Sequence, residues 1–399
     1  MNILQIANKA IYPPDGGTQA ILSMSKGYIR NGHNVHILNM TTHKHYNNTS
    51  IIENEYLGHL KISTEGVNTK ISILKLLLNF FFSTKPYIAK RFYTSNFCER
   101  IKKLLNADSF DFIQLEGLYA LQYIHIIRSV YKGKIIYRPH NLEYRIWESN
   151  SKESKNILMK IYFKILTNKL HKFEKSFLNL YDYILPISDN DAAEFKKEGN
   201  TKPLLTSPFG IDTKVFTKFN KNNTNSKVKQ INYIGALDWI PNQEGIIWFA
   251  EKCLPILLKK IPNIKFNIAG RNAPVWFIQK LNNRNINYIG EVEDAYEFIQ
   301  NPGPIIVPLF SGSGMRVKII EAMALKKTVI ATSIAAKGIK YKNNINIAIA
   351  NDPRNFADSI IKTIQNPDFE KEMGRQAYEF VKMNFDFENI TANIISFIK

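Results

Sequence analysis

The sequence predicts an α/β protein made of two domains, each built on a parallel sheet. Three observations carry that expectation. Short apolar runs alternate with helix-period segments from the first residues onward. A polar, turn-rich stretch interrupts the alternation near the middle of the chain, and the same alternation then begins again. With 399 residues, 45% of them hydrophobic, the chain has apolar material for two or three cores, which excludes intrinsic disorder as its main state.

Residues 3–7 form a short apolar run, followed by the turn Pro13-Pro14-Asp15-Gly16-Gly17. Residues 18–31 repeat at helical spacing through Ile21, Leu22, Met24 and Ile29. Gly32-His33 ends that segment, and 35–40 reads as the next strand. Strand, helix and strand in this order make a β-α-β unit, hence a parallel sheet. Residues 111–115, 134–137 and 183–187 continue as buried strands, and Ser188 offers a cap to the helix that follows. The polar stretch around Asn220-Lys221-Asn222-Asn223 marks a linker over 206–228. Beyond it, 231–236, 264–269, 287–290, 304–308 and 328–331 read as strands. Residues 245–260, 317–325, 356–366 and 370–384 read as helices. The expected organisation is a first domain at 1–205, the linker, a second domain at 229–382, and a helix at 383–399 that packs back on the first domain. Open parallel sheets bind ligands outside their strand C-termini, so a cleft between the two domains is the expected site.

Fifty-three basic against 34 acidic residues give a net charge of +19, spread over both halves. That balance favours anionic partners: nucleic acid, acidic lipid headgroups or phosphorylated substrates. A compositional bias toward Lys, Asn and Ile explains it equally well. Helix-turn-helix, RNA-binding and zinc signatures are missing from the sequence, which argues against nucleic acid. Cys98 and Cys253 are far apart and have no metal-type spacing. The opening residues lack the basic and apolar regions of a secretory signal, and no run approaches 18 apolar residues. A cytoplasmic protein is therefore expected.

Two segments carry chemistry. Gly16-Gly17, between a strand and a helix, lets backbone N–H groups approach an anion at a helix N-terminus. A tight β-α turn is the plain alternative. The stronger segment is Ser311-Gly312-Ser313-Gly314-Met315-Arg316-Val317-Lys318-Ile319-Ile320-Glu321. Its small residues expose backbone at a helix start, and Arg316 and Lys318 add two cations, a pattern suited to a diphosphate. Glu321 offers a carboxylate able to accept two ribose hydroxyls. An ordinary Lys-Glu surface pair is the alternative there.

In this order the motifs resemble a GT-B glycosyltransferase of the retaining family 4 type, along the whole chain. The matching features are Gly16-Gly17, Gly32-His33-Asn34-Val35, Arg138-Pro139-His140-Asn141-Leu142-Glu143, Ser188, Gly210-Ile211-Asp212 with Phe216, Tyr233-Ile234-Gly235, Ile268-Ala269-Gly270 and Glu321-Ala322-Met323-Ala324. The resemblance implies two Rossmann-like domains facing a central cleft. The first binds the acceptor and the second the nucleotide sugar. It implies catalytic roles for His140, Arg316 and Lys318. It places the donor against Gly16, Gly17, Arg271, Gly312, Ser313, Gly314 and Glu321. It also implies sugar transfer with retention, in cell-surface polysaccharide biosynthesis, to a glycan or lipid-linked acceptor, with neither cofactor nor metal.

The chain departs from the family pattern twice. Ser313 stands where the first glutamate of the family's pair belongs. The loop 237–242 lacks the family's Arg-and-Lys pair, a charge that Arg316 and Lys318 are expected to supply. These departures motivate a second reading, a non-catalytic GT-B subunit that scaffolds polysaccharide assembly. Residues 70–103 carry eight basic residues against Glu99, with Ile71, Leu74, Leu78 and Phe81 at helical spacing and Phe80 and Phe82 widening the face. They predict peripheral contact with an anionic membrane at its inner face. The rival is a helix packed on the sheet with only its lysines in water.

Overall fold

The computed structural model describes residues 1–11, 16–42, 58–154, 156–219, 229–312 and 315–399. The chain divides into two compact units. The first comprises Met1–Gly210 with Phe387–Lys399, and the second Ile211–Asp386.

The first unit is built on a six-stranded parallel sheet: β1 (Asn2–Ala7), β2 (Asn34–Thr41), β3 (Leu60–Gly66), β4 (Phe112–Glu116), β5 (Lys134–Arg138) and β6 (Tyr183–Ile184). The strand order is β3-β2-β1-β4-β5-β6. The second sheet holds β7 (Gln230–Ile234), β8 (Lys265–Ala269), β9 (Ile286–Gly290), β10 (Ile305–Val307), β11 (Val329–Ala331) and β12 (Ala348–Ile349), in the order β12-β11-β10-β7-β8-β9. Counted within each unit, the two orders are the same. In both sheets the winding direction reverses beside the first strand, between β1 and β4 and between β7 and β10. Such reversal points open a crevice at the strand C-termini.

The central strands are buried on both faces. Ile3, Leu4, Ile6, Ile113, Leu115, Ile135 and Ile136 are fully inaccessible in the first unit, as are Ile231, Tyr233, Phe266, Ile306 and Ile330 in the second. Such strands read as continuous apolar runs, which is why the sequence discloses them. Ser188 caps the Asp189–Lys197 helix, its hydroxyl accepting from the Asp191 N–H at 3.1 Å.

The structure redraws several elements. The helix expected at 245–260 begins at Ile240 and passes through a π-turn, Phe249–Cys253, before Leu254–Lys260. Residues 206–219 belong to the two units instead of forming a free spacer. The Ser207 N–H donates to the Pro186 carbonyl, the Ile211 N–H to the Phe385 carbonyl, and Phe216 packs on Tyr296. The division therefore falls at Gly210–Ile211, and the most polar part of the expected linker, 220–228, lies outside the described residues. The Phe387–Ile398 helix packs on the Gly16–Arg30 helix of the first unit. Gly27 makes the contact possible: a Cβ there would lie 2.5 Å from the Phe387 carbonyl oxygen.

Residues 70–103 split into three helices, the first being Ile73–Phe82. Its outward face is apolar: Ile73, Leu74, Leu77, Leu78, Phe81 and Phe82 are all exposed. Phe80 differs from the sequence expectation, because it turns inward and stacks on Tyr162 at 5.8 Å. Among the described residues, no helix is long and apolar enough to cross a membrane.

Candidate active site

In the second unit the reversal point is crowded with the residues singled out at the Val317–Ala324 helix. Strand β10 leads through Pro308 and Leu309 to Gly312, which has φ +100°. A side chain there would strike Arg316 Nη2 at 2.7 Å and the Trp239 ring at 2.9 Å. Glycine thus lets the Arg316 guanidinium lie over the Trp239 ring, 5.0 Å from its centre. Ser313 and Gly314 lie outside the described residues.

Lys318 reaches back to the end of β7. Its Nζ donates to the Tyr233 hydroxyl at 3.0 Å, the Ile234 carbonyl at 3.3 Å and Asn242 Oδ1 at 3.3 Å. It also lies 4.3 Å from the Tyr233 ring centre. Burial, helped by the charge of Arg316, pushes the ammonium down to about 7. Asn242 donates in turn to the Ala236 carbonyl at 2.7 Å, and Gln243 to the Leu237 carbonyl at 2.7 Å, fixing the 235–239 loop. The loop that lacks its own cations therefore receives one from another element.

Glu321 points elsewhere on the same helix. It does not pair with Lys318; its Oε1 accepts from the Tyr296 hydroxyl at 3.1 Å. Burial raises its carboxyl above the usual range, and the Tyr296 bond offsets part of that rise. Tyr296 is braced by Phe216 and Phe219, with ring centres 4.9 and 5.7 Å away. Gly270 follows strand β8, and a Cβ there would overlap the Gly235 carbonyl oxygen at 1.9 Å. Arg271 follows it with an exposed side chain, and its carbonyl accepts from the Leu237 N–H at 2.9 Å. Arg271, Gly312, Arg316, Lys318 and Glu321 thus share one end of one sheet.

The first unit holds Gly16, Gly17 and His140. The two glycines open the Gly16–Arg30 helix after β1. His140 follows β5, and its Nε2 lies 2.6 Å from Glu116 Oε2. Register explains the contact, since Glu116 on β4 stands opposite Arg138 on β5. Arg138 Nη1 reaches the same carboxylate oxygen at 3.2 Å, and both side chains are fully buried. Gln5 Nε2 donates to Glu116 Oε1 at 3.3 Å, Gln114 donates to the same oxygen, and Tyr28 donates to Gln114 at 2.7 Å. Burial alone would raise the Glu116 carboxyl; Arg138 and His140 outweigh it and hold the group below its usual value. A carboxylate only accepts, so the network assigns the Nε2 proton to His140 and leaves Nδ1 facing away from Glu116.

Sequence reading gave no site role to Glu116, Arg138, Tyr233, Trp239, Asn242 or Tyr296, although Arg138 and Tyr233 stand in the matched motifs and Trp239 and Asn242 in the singled-out loop. For Glu116 and Arg138 the available signal was a charged residue directly after an apolar strand run, on neighbouring strands. Tyr296 had none, because only folding brings it near Glu321.

Residues 228–366 match the family model described as Glycosyl transferases group 1. A Klebsiella pneumoniae 44.6 kDa protein of the cps region is 27% identical over 312 residues, covering 74% of this chain and 76% of that protein. Anabaena Alr3699/HepE, solved in complex with UDP, superposes with a TM-score of 0.68 at 12% identity, over 99% of each chain. A glycosyltransferase from Rickettsia africae gives 0.68 at 14% identity, covering 100% of this chain and 97% of its own. Sucrose-phosphate synthase from Thermosynechococcus elongatus gives 0.67 at 14% identity, over 99% and 97%.

Proposed function

From a GT-B fold whose second unit is similar to the group 1 glycosyl transferases, we propose that this chain is a glycosyltransferase. It moves a sugar from a nucleoside diphosphate sugar to a glycan or lipid-linked acceptor, with retention, in polysaccharide biosynthesis. The observation that carries the proposal is the end of the second sheet. Arg316 over Trp239 and the desolvated Lys318 supply positive charge where the chain turns through Gly312.

When the bond to the sugar breaks, negative charge grows on the departing diphosphate. Cations already fixed in place stabilise it without reorganising. Lys318 is held by three acceptors before any ligand arrives, so little ordering remains to be done. Glu321, braced by Tyr296, accepts the ribose hydroxyls. His140, with its proton directed into Glu116, presents Nδ1 as an acceptor toward the transferred sugar or the incoming hydroxyl. The cps-region relative and the UDP complex of the Anabaena protein support polysaccharide assembly and a uridine donor. A lipid-linked acceptor would be met at an anionic membrane surface.

The deciding experiment measures nucleoside diphosphate release from a panel of nucleotide sugars, with acceptor extract, with and without a chelator. One donor is expected to turn over, undiminished by chelation. If no donor is consumed while a nucleotide still binds, the non-catalytic reading takes its place.

A further inference from the structure

We propose that the Ile73–Phe82 helix and the first turns of the Ile157–Lys175 helix form one surface that inserts shallowly into an anionic lipid bilayer. This deepens the membrane part of the proposed function, yet it is read from vesicle binding alone, so failure of the sugar chemistry leaves it standing.

The first observation is a reversed polarity. A helix on a water-soluble domain buries its apolar stripe. Here Ile73 is 76% exposed, Leu74 68%, Phe81 71% and Phe82 83%, while the polar Asn79 is 7% exposed. Asn79 donates to the Lys85 carbonyl at 3.0 Å, so a polar residue lies on the side held to the protein, beside the inward-turned Phe80. Helix ends are satisfied internally as well. Ser72 caps the start, and Lys169 closes the end by donating to the Asn79 and Phe80 carbonyls at 3.1 and 2.6 Å.

The second observation is that another helix adds to the surface. Ile157 is 74% exposed, Leu158 77% and Ile161 51%. An unbroken series of aromatic contacts joins the two. Phe82 meets Phe81 at 6.4 Å, Phe81 meets Phe80 at 5.1 Å, Phe80 stacks on Tyr162 at 5.8 Å, and Tyr162 meets Phe163 at 5.7 Å. Two exposed apolar faces joined beneath by such contacts mark an interaction surface.

Charge selects the occupant. The Ile73–Phe82 helix has Lys75 and no acid. The Ile157–Lys175 helix has five lysines and one carboxylate, Glu174, which is buried. Burial, with Glu143 nearby, holds that carboxyl up at about 8, so it offers little opposing charge. Lys75, Lys160 and Lys164 are exposed. Apolar side chains flanked by charge of one sign match the interface of an anionic membrane, where each lysine adds attraction. A second copy of the chain would bring like charges together.

The test is co-sedimentation of the full chain with vesicles of phosphatidylcholine, alone or mixed with phosphatidylglycerol. Three variants are compared: Leu74→Ser with Phe82→Ser, Ile157→Ser with Leu158→Ser, and Lys160→Glu with Lys164→Glu. All six positions are exposed, so the unfolding midpoint is expected to stay put and separates lost binding from lost folding. Binding is expected only with phosphatidylglycerol, reduced about tenfold or more in each variant and weakened by salt. Equal binding to neutral vesicles, or none, overturns the proposal. Unaltered binding of the Ile157 and Leu158 variant overturns the two-helix surface. Self-association without lipid that the serine variants abolish makes a second copy the occupant instead.

Discussion

At the scale of single residues, Lys318 does the most unusual thing in the chain. A lysine pushed down to about 7 is only partly charged at neutral pH. A diphosphate brought beside it would restore the charge, so nucleotide binding should draw a proton from solution. Calorimetry of nucleoside diphosphate binding at pH 7.5 in buffers of different ionisation enthalpy is expected to show that uptake, and Lys318→Met to abolish it. Equal apparent enthalpies in all buffers would remove Lys318 from the phosphate site. The same shift bears on folding. The unfolded lysine binds its proton up to about pH 10.4 and the folded one only to about 7, so between those values this group adds stability as pH rises and subtracts it as pH falls. Glu116 gives a second prediction. Glu116→Gln keeps the shape but removes the charge that balances Arg138 and orients His140. Turnover is expected to fall by about 10–100-fold with its pH profile displaced, while nucleotide affinity, located in the other unit, stays unchanged. Neither partner was legible as a pair in the sequence. The apolar runs 111–115 and 134–137 end just before Glu116 and Arg138, and only strand register sets those two face to face.

Among elements, the short β10-to-helix connection concentrates the constraints. Gly312→Ala puts a Cβ within 2.7 Å of Arg316 Nη2 and 2.9 Å of Trp239, at φ +100°. The variant is expected to lose about 1–3 kcal/mol of stability and to weaken nucleoside diphosphate more than nucleoside, because the displaced group is the cation. Parallel losses for the two ligands in titration would place Arg316 away from phosphate. Fully buried central strands were legible as apolar runs. Two of the four edge strands were not: after Leu60, β3 mixes exposed and half-buried residues, and β12 is two residues long, whereas the edge strands β6 and β9 fall where 183–187 and 287–290 read as strands. The Ile73–Phe82 helix was legible as a helix, but the direction of its apolar face was not. Spacing alone cannot say whether such a face meets a core or a solvent, and it took the inward Asn79 to decide it.

For the whole molecule, two sheets of identical order place one candidate site residue cluster at each reversal point, His140 with Glu116 in one unit and Arg316, Lys318 and Glu321 in the other. A donor that binds the second unit should stabilise that unit by mass action, about 2.7 kcal/mol at a hundred times its Kd. A thermal-shift panel is expected to pick out one nucleotide sugar, with Lys318→Met losing the shift. The first unit responds to a different change. Ile394 is fully buried in the Phe387–Ile398 helix, and Ile394→Ala should cost about 2–5 kcal/mol. That loss is expected in the first unit although the residue is encoded after the second, and hydrogen exchange resolved along the chain would show which unit loosens.

That helix has a consequence for how the chain is made. Synthesis runs from the N-terminus, so the sheet β1–β6 emerges early but lacks the wall that Ile390, Ile394, Ile395 and Ile398 provide. The ribosome must first traverse Ile211–Asp386, on the order of 10–35 s at about 5–20 residues per second. Throughout that interval the second unit can close while the first waits with an open apolar flank. A chain released prematurely therefore never completes its first unit, and the nascent protein carries its own signal of incompleteness to any chaperone or protease that reads exposed isoleucine.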